Sequence, residues 1–282
     1  MTFKTKKRLK KITQHTLLGL FTLVMLYPLI WMLASSLKES SNVFVDAHSL
    51  IPSAWEFSNY VDGWKGFAGI SFTTFYKNTF IIVGITTIGS IIFSAVAAYG
   101  FARINFTGRK MWFALMLMTM MLPFEMVMIP QYIMFNWFEL IDTYLPLILP
   151  TFFGYPFFIF LMIQFIRTIP KELDQAARID GCNTISIFFR IIVPLIVPAM
   201  MTSTIFSFYW RWDDFMAPLI YLQSPEKYPV SLALKLFSDP EAVTNWGALF
   251  AMTTLSLLPI MIIFFIFQRY IVDGISTSGL KG

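Results

Sequence analysis

Cysteine is almost absent from this sequence. Cys182 stands alone, and the two histidines, His15 and His48, are far apart. One cysteine excludes an internal disulfide framework and a Cys-x-x-Cys redox site. Two distant histidines give no metal-ligand spacing, so no metal site is expected. Charge is scarce too, at 13% of residues. No Gly-x-x-x-x-Gly-Lys-Ser/Thr motif occurs, so the chain has no loop of its own to cradle nucleotide phosphates. No Gly-x-Ser-x-Gly occurs either, and neither histidine falls within an apolar run. That argues against an intramembrane hydrolase, and no catalytic residue is assigned.

What fills the space is apolar: 57% of the residues are hydrophobic and the mean hydropathy is +0.67. A hydrocarbon core about 30 Å thick needs roughly 20 apolar residues of helix. Runs free of Asp, Glu, Lys and Arg cover Leu17–Leu37, Asn78–Ala102, Thr143–Ile166, Ile191–Trp210 and Ala242–Gln268. A sixth, Met111–Phe138, is broken only by Glu125. Barrel strands would alternate in short segments; these runs are continuous. The expected fold is an all-α integral membrane protein with six transmembrane helices. The first run follows a basic segment, yet it is too long for the apolar region of a signal peptide and is read as a retained anchor.

With the N-terminus inside, 15 Lys and Arg residues fall on the cytoplasmic side and 6 on the outer side. The positive-inside rule therefore predicts that both termini are cytoplasmic. The basic pI of 9.2 is explained by this clustering beside the spans, with no need for nucleic acid. The chain divides into a basic segment 1–15, a first span with a long external loop 16–73, a five-helix core 74–270 and a cytoplasmic tail 271–282.

One polar stretch, Glu172–Gly181 (ELDQAARIDG), interrupts the apolar runs on the cytoplasmic side. Pro170 suits a first helical position, and Glu172 and Asp174 suit the positive end of a helix dipole. Gly181 is placed to end the helix. The pattern predicts a short helix of about three turns, with Leu173, Ala176, Ala177 and Asp180 on one face. Its two alanines would let another protein approach closely. An interfacial helix would need a large apolar face and a basic one. This helix has neither, so it reads as a docking helix. The apolar stretch Ile185–Ile192 would carry force from it into the fifth span.

The segment IPKELDQAARIDGCNTISIFFRIIVPLIVPAM resembles the cytoplasmic EAA loop (170–194) of binding-protein-dependent ABC importer permeases. It carries Gln175-Ala176-Ala177, Asp180-Gly181 and Ile191-Ile192-Val193-Pro194-Leu195. AYGFARINFTGRK, MLPFEMVMIPQY, WRWDDFMAPLIYL and RYIVDGISTSGLKG resemble the carbohydrate branch, in its maltose-permease (MalG-like) half. Gln175 departs from the family's glutamate, which shifts the weight of docking from charge to shape.

The resemblance implies the type I importer permease fold, with a coupling helix formed by Glu172, Leu173, Asp174, Gln175, Ala176, Ala177, Asp180 and Gly181. It implies a bacterial or archaeal cytoplasmic membrane. It also implies a second permease in a heterodimer, two ATPase domains that hold ATP and Mg, an external sugar-binding protein and a carbohydrate substrate. The same resemblance admits a permease for a non-sugar solute.

For the substrate path the polar groups within spans are Asn78, Glu125 and Gln164, since such groups are rare in lipid and often functional. On a straight helix Glu125 would stand about 21 Å from Met111. Tyr221, Tyr228 and Phe237 are expected to meet the binding protein from a loop centred on 221–239, whereas Trp210 and Trp212 read as interfacial anchors. Pro194 and Pro198 in the fifth span, and Pro146, Pro150 and Pro156 in the fourth, are expected to kink their helices. An ion-coupled secondary transporter would show two similar halves and several buried acids, and neither is evident.

Overall fold

The computed structural model describes residues 3–237 and 245–279, entirely as helices and connecting turns. In chain order the helices are α1 (Phe3–Ser35), α2 (Ser58–Lys65), α3 (Phe72–Arg103), α4 (Arg109–Thr119), α5 (Phe124–Trp137), α6 (Leu145–Ile148) and α7 (Pro156–Thr168). They continue as α8 (Glu172–Ile179), α9 (Thr184–Ile187), α10 (Val193–Leu195), α11 (Val197–Trp212), α12 (Met216–Tyr221), α13 (Val230–Phe237) and α14 (Trp246–Gly279).

Among the described residues, four stretches are long and apolar enough to cross a membrane: Lys7–Ser35, Phe72–Arg103, Leu145–Thr168 and Trp246–Tyr270. Two further pairs qualify only as bent spans. α4 and α5 meet at 100°, and the segment Thr184–Leu195 meets α11 at 73°. Six spans are reached if each bent pair counts as one. The sharper bend falls at Met120–Pro123, where Pro123 is itself extended (φ −60°, ψ 143°) ahead of α5. The second falls at Ile196, between Pro194 and Pro198, just after a π-turn over Phe188–Ile192. In the fourth span the chain leaves α6 through a 3₁₀ turn (Leu149–Phe153). It then passes through Gly154 at φ +78° and restarts at Pro156.

The chain forms two compact units. The first contains Met1–Gly69 and Leu236–Leu257. There α1 leaves a largely exposed apolar surface, as a lipid-facing helix would. The loop after it is tightly organised. The Lys38 ammonium is buried and donates to the carbonyls of Asp46 and Ser49, 2.7 Å each. Asn59 donates to the carbonyls of Ser36 and Lys38. A Cβ at Gly247 would lie 2.4 Å from the Asn59 amide nitrogen, so only glycine fits there.

The second unit contains Ile70–Lys235 and Leu258–Gly282, built around α3, which packs on α7 and α11. Small polar side chains on α3 meet backbone left open where neighbouring helices break. Ser94 Oγ accepts from Tyr155 N–H at 2.9 Å, and Thr79 Oγ1 accepts from Val230 N–H at 2.8 Å. Without water in a bilayer core, such partners are what make broken helices tolerable. One apolar core joins Ala98, Tyr99, Phe158, Met162, Ile166, Ile187, Phe188 and Ile192.

The observed units depart from the boundaries expected from sequence. Residues 236–257 group with the N-terminal unit, and the core helix begins at Phe72. Residues 271–279, expected as part of a cytoplasmic tail, continue α14 as helix. The tip 280–282, together with Asp239 and the start of the last run at Ala242, lies outside the described residues.

Candidate functional site

The helix α8 is shorter than its sequence suggested. Ile169 is extended (ψ 126°), as the residue before a proline is biased to be, but the N-cap falls at Lys171, so Pro170 stays outside and the helix covers two turns rather than three. It ends in a Schellman arrangement. Gly181 takes φ +82°, its N–H donates to the Arg178 carbonyl, and Cys182 N–H donates to the Ala177 carbonyl at 2.8 Å.

Its facing also differs. Ala177 is only 7% exposed and belongs to the core that contains Ala98, Ile166 and Ile187. Asp174 turns the same way and meets Arg103, the last residue of α3, at 3.0 Å (Nε to Oδ2). The two side chains are 5% and 13% exposed. The approach lies off the hydrogen-bond line, so the attraction is coulombic. Arg103 Nη2 also donates to the Ile169 carbonyl at 2.7 Å. One guanidinium thus pins both the end of α7 and the inner side of α8. Neither Ala177 nor Asp174 is therefore available to a docking partner, contrary to expectation. The reason is that the α3 and α7 ends lie against this side of α8.

The opposite side carries Glu172, Gln175, Ala176 and Ile179, spaced i, i+3, i+4, i+7. All four are exposed, Ile179 at 87%. None has a side-chain hydrogen bond or ion pair among the described residues. Leu173 is exposed on the flank, and Asp180 lies at the C-cap.

The three polar residues assigned to the substrate path are not brought together. Asn78 is buried, and its amide donates to the carbonyls of Glu226 (2.7 Å) and Tyr228 (3.1 Å), holding a loop. Glu125 is exposed in the first turn of α5, beyond the 100° bend, so its distance along a straight helix from Met111 has no meaning. Gln164 is half-buried on α7 without a side-chain partner among the described residues.

A cleft of about 370 Å³ lies elsewhere in the second unit, and none of the three lines it. Its aromatic wall is Trp210, stacked on Phe158 (5.6 Å, 13°) and tilted against Tyr155 (5.7 Å). Ser90, Thr151, Gln131 and Ser207 add polar groups. Arg211 and Asp214 approach to 3.6 Å at its edge. Burial pushes the Asp214 carboxyl up, against the lowering effects of the Ala217 N–H and Arg211. An apolar wall with a few convergent polar groups is the make-up of a small-molecule site. The signal in sequence is the run Trp210–Asp214, which reads equally well as an interfacial anchor. Trp212 is no such anchor: it is buried and stacks on Phe208.

Of the expected binding-protein contacts, Tyr221 is a core residue, stacked on Tyr132 and set edge-on to Phe135. Tyr228 is half-buried, with its hydroxyl donating to the Gln223 carbonyl. Phe237 is half-buried against Phe67, both residues belonging to the first unit. The loop 223–228 is held by Asp142. Its carboxylate accepts from Gln223 N–H and Ser224 N–H (2.9 Å each), from the Ser224 hydroxyl and from Lys227 (2.7 Å). Burial works against the Asp142 carboxylate, but these donors hold it well below the usual carboxylate range. No group of three or more His, Cys, Asp or Glu residues suited to a metal occurs among the described residues.

Residues 90–277 match the family model described as binding-protein-dependent transport system inner membrane component. The chain is 36% identical to the probable ABC transporter permease protein YurM of Bacillus subtilis, over 94% of this chain and 87% of that one. It is 34% identical to the arabinooligosaccharides transport system permease protein AraQ of the same organism, over 93% of each. A crystal structure of a bacterial ABC transporter involved in the import of the acidic polysaccharide alginate contains a chain that superposes with a TM-score of 0.82. That chain is 25% identical, with 96% of this chain and 99% of the other covered.

Proposed function

Because this chain belongs to the binding-protein-dependent transport system inner membrane components, as a multi-pass permease of the cytoplasmic membrane, we propose that it forms half of the path of an oligosaccharide importer and is driven through α8. A permease of this family is not itself an enzyme; it works with an ATPase and a binding protein. The excess of Lys and Arg places α8 and the Arg103–Lys110 turn on the cytoplasmic side. ATP and Mg²⁺ are then held by the ATPase chains, and the second permease is a different chain.

The observation that carries this reading is the two-sidedness of α8. Its inner side is pinned to α3 and α7 by Arg103 and Ala177; its outer side is an unpartnered row of Glu172, Gln175, Ala176 and Ile179. A partner that grips the outer row pulls directly on the ends of two membrane helices. With Gln175 in that row, the grip rests on shape and on Ile179 more than on a carboxylate.

The cleft beside Trp210 is the proposed sugar subsite. A pyranose has apolar faces that fit an aromatic wall and hydroxyls that fit Gln131, Thr151 and Ser207. The relative whose name specifies arabinooligosaccharides supports this substrate class.

The test is co-purification from mild detergent. Ala176→Arg plus Ile179→Arg fills the outer side without entering the core. The wild type should bring down an ATP-hydrolysing chain and the variant should lose it. A folded variant that retains the ATPase would place docking elsewhere.

A further inference from the structure

A second cavity, of about 590 Å³, lies where the ends of α3 and α7, the start of α4 and one flank of α8 converge. Five cations line it: Arg103, Arg109, Arg167, Lys171 and Arg178. Against them stand two carboxylates, Asp174 and Glu172. Asp174 is taken by Arg103 at 3.0 Å. Arg109 donates to Asn105 Oδ1 and the Ile104 carbonyl, which orients its guanidinium without neutralising it. Arg167 lies over the Phe113 ring at 5.7 Å, again with its charge unspent. Lys171 and Arg178 have no side-chain hydrogen bond or ion pair among the described residues. The cavity therefore holds a clear positive surplus, spread over two stretches of chain, 101–109 and 167–178.

We infer that this cavity binds a phosphate-bearing anion at the inner surface of the membrane, with the headgroup of an anionic phospholipid as its first source. Fork-shaped guanidinium groups suit the oxygens of a phosphate. Basic pockets at the cytoplasmic ends of membrane helices take anionic headgroups. The first turns of α4 adjoin the cavity and expose Met111 and Trp112, which suits the acyl boundary beside a headgroup. A soluble phosphorylated metabolite offers the same chemistry without acyl chains.

The cavity borders the outer row of α8 and shares Glu172 and Gln175 with it, so its occupancy has to be read apart from what α8 grips. Its test therefore reads binding alone, in the full chain purified in detergent. Native mass spectrometry would follow retention of phosphatidylglycerol against phosphatidylcholine, with pyrophosphate as the soluble probe. The variant Lys171→Gln plus Arg178→Gln removes two exposed charges and no packing. A matched control, Lys10→Gln plus Lys11→Gln, removes two charges from the N-terminal segment. Phosphatidylglycerol retention should fall roughly thirtyfold in the cavity variant and hold in the control. Binding of pyrophosphate, lost in the same variant, with no preference between the two lipids, would assign the site to the soluble source. Equal binding of both probes by wild type and cavity variant would overturn the inference and leave these cations to face an acidic protein segment.

Discussion

Two ion pairs in the second unit do similar jobs by different means. Arg103 and Asp174 join α3 to α8 with side chains 5% and 13% exposed, and one carboxylate oxygen of Asp174 has no hydrogen-bond partner. Lys227 and Asp142 join two loops with side chains 40% and 24% exposed, and every oxygen of Asp142 is used. The first is a single dry contact backed by packing around Ala177; the second is a wet clasp of many hydrogen bonds. A dry pair is costly to leave half made, whereas a clasp of this kind can lose one bond and stay closed. The difference leaves α8 fixed to α3 as one stiff piece and the loop held in shape by several replaceable bonds.

The contrast is sharpest for Arg103→Ala. It leaves Asp174 buried and unpaired, and should cost about 3–5 kcal/mol in thermal unfolding of the solubilised protein. Arg103→Met combined with Asp174→Leu should recover most of that loss; if it does not, the Ile169 contact matters more than the ion pair. Ala177→Leu probes the packing beside the pair and should cost about 1–3 kcal/mol by overfilling the core. Asp142→Asn should cost about 1–2 kcal/mol and appear as faster hydrogen exchange confined to the loop 223–228.

The clasp also has a pH dependence. Because the folded Asp142 carboxyl lies below its unfolded value, its contribution is fully present above about pH 4. It is lost only as pH falls through the folded value, so the protection of the loop, taken relative to the intrinsic exchange rate at each pH, should not change between pH 5 and 8. Ile179→Asp should be the smallest stability effect, within about 0.5 kcal/mol, because the side chain touches solvent. A larger loss would mean that the outer side of α8 is packed after all.

Much of the fold is legible in the sequence because lipid imposes length and apolarity on every span. The five uncharged runs and the Glu125-broken run fall on the four long stretches and the two bent pairs. The C-terminal end of α8 follows from Gly181, whereas its start falls two residues after Pro170. What escaped is facing. On an eight-residue helix, Leu173, Ala176 and Ala177 cannot say which side meets the protein, because that depends on Arg103, far upstream. A charged Asp174 reads as exposed until its partner is known. Asn78 likewise reads as a polar group facing a path, yet carbonyls 148 and 150 residues away claim it. The cleft was hidden because Trp210 and Trp212 stand two apart on one helix and face different neighbours.

The π-turn at Phe188–Ile192 has a mechanical consequence. Its ring, closed by Val193 N–H on the Phe188 carbonyl, holds one residue more than an ordinary helical turn. Tightening that turn by one residue would rotate everything on its far side by about 100° and advance it about 1.5 Å. The segment linking α8 to α11 is therefore threaded like a screw: one residue taken up at Phe188–Ile192 would turn a whole face of α11.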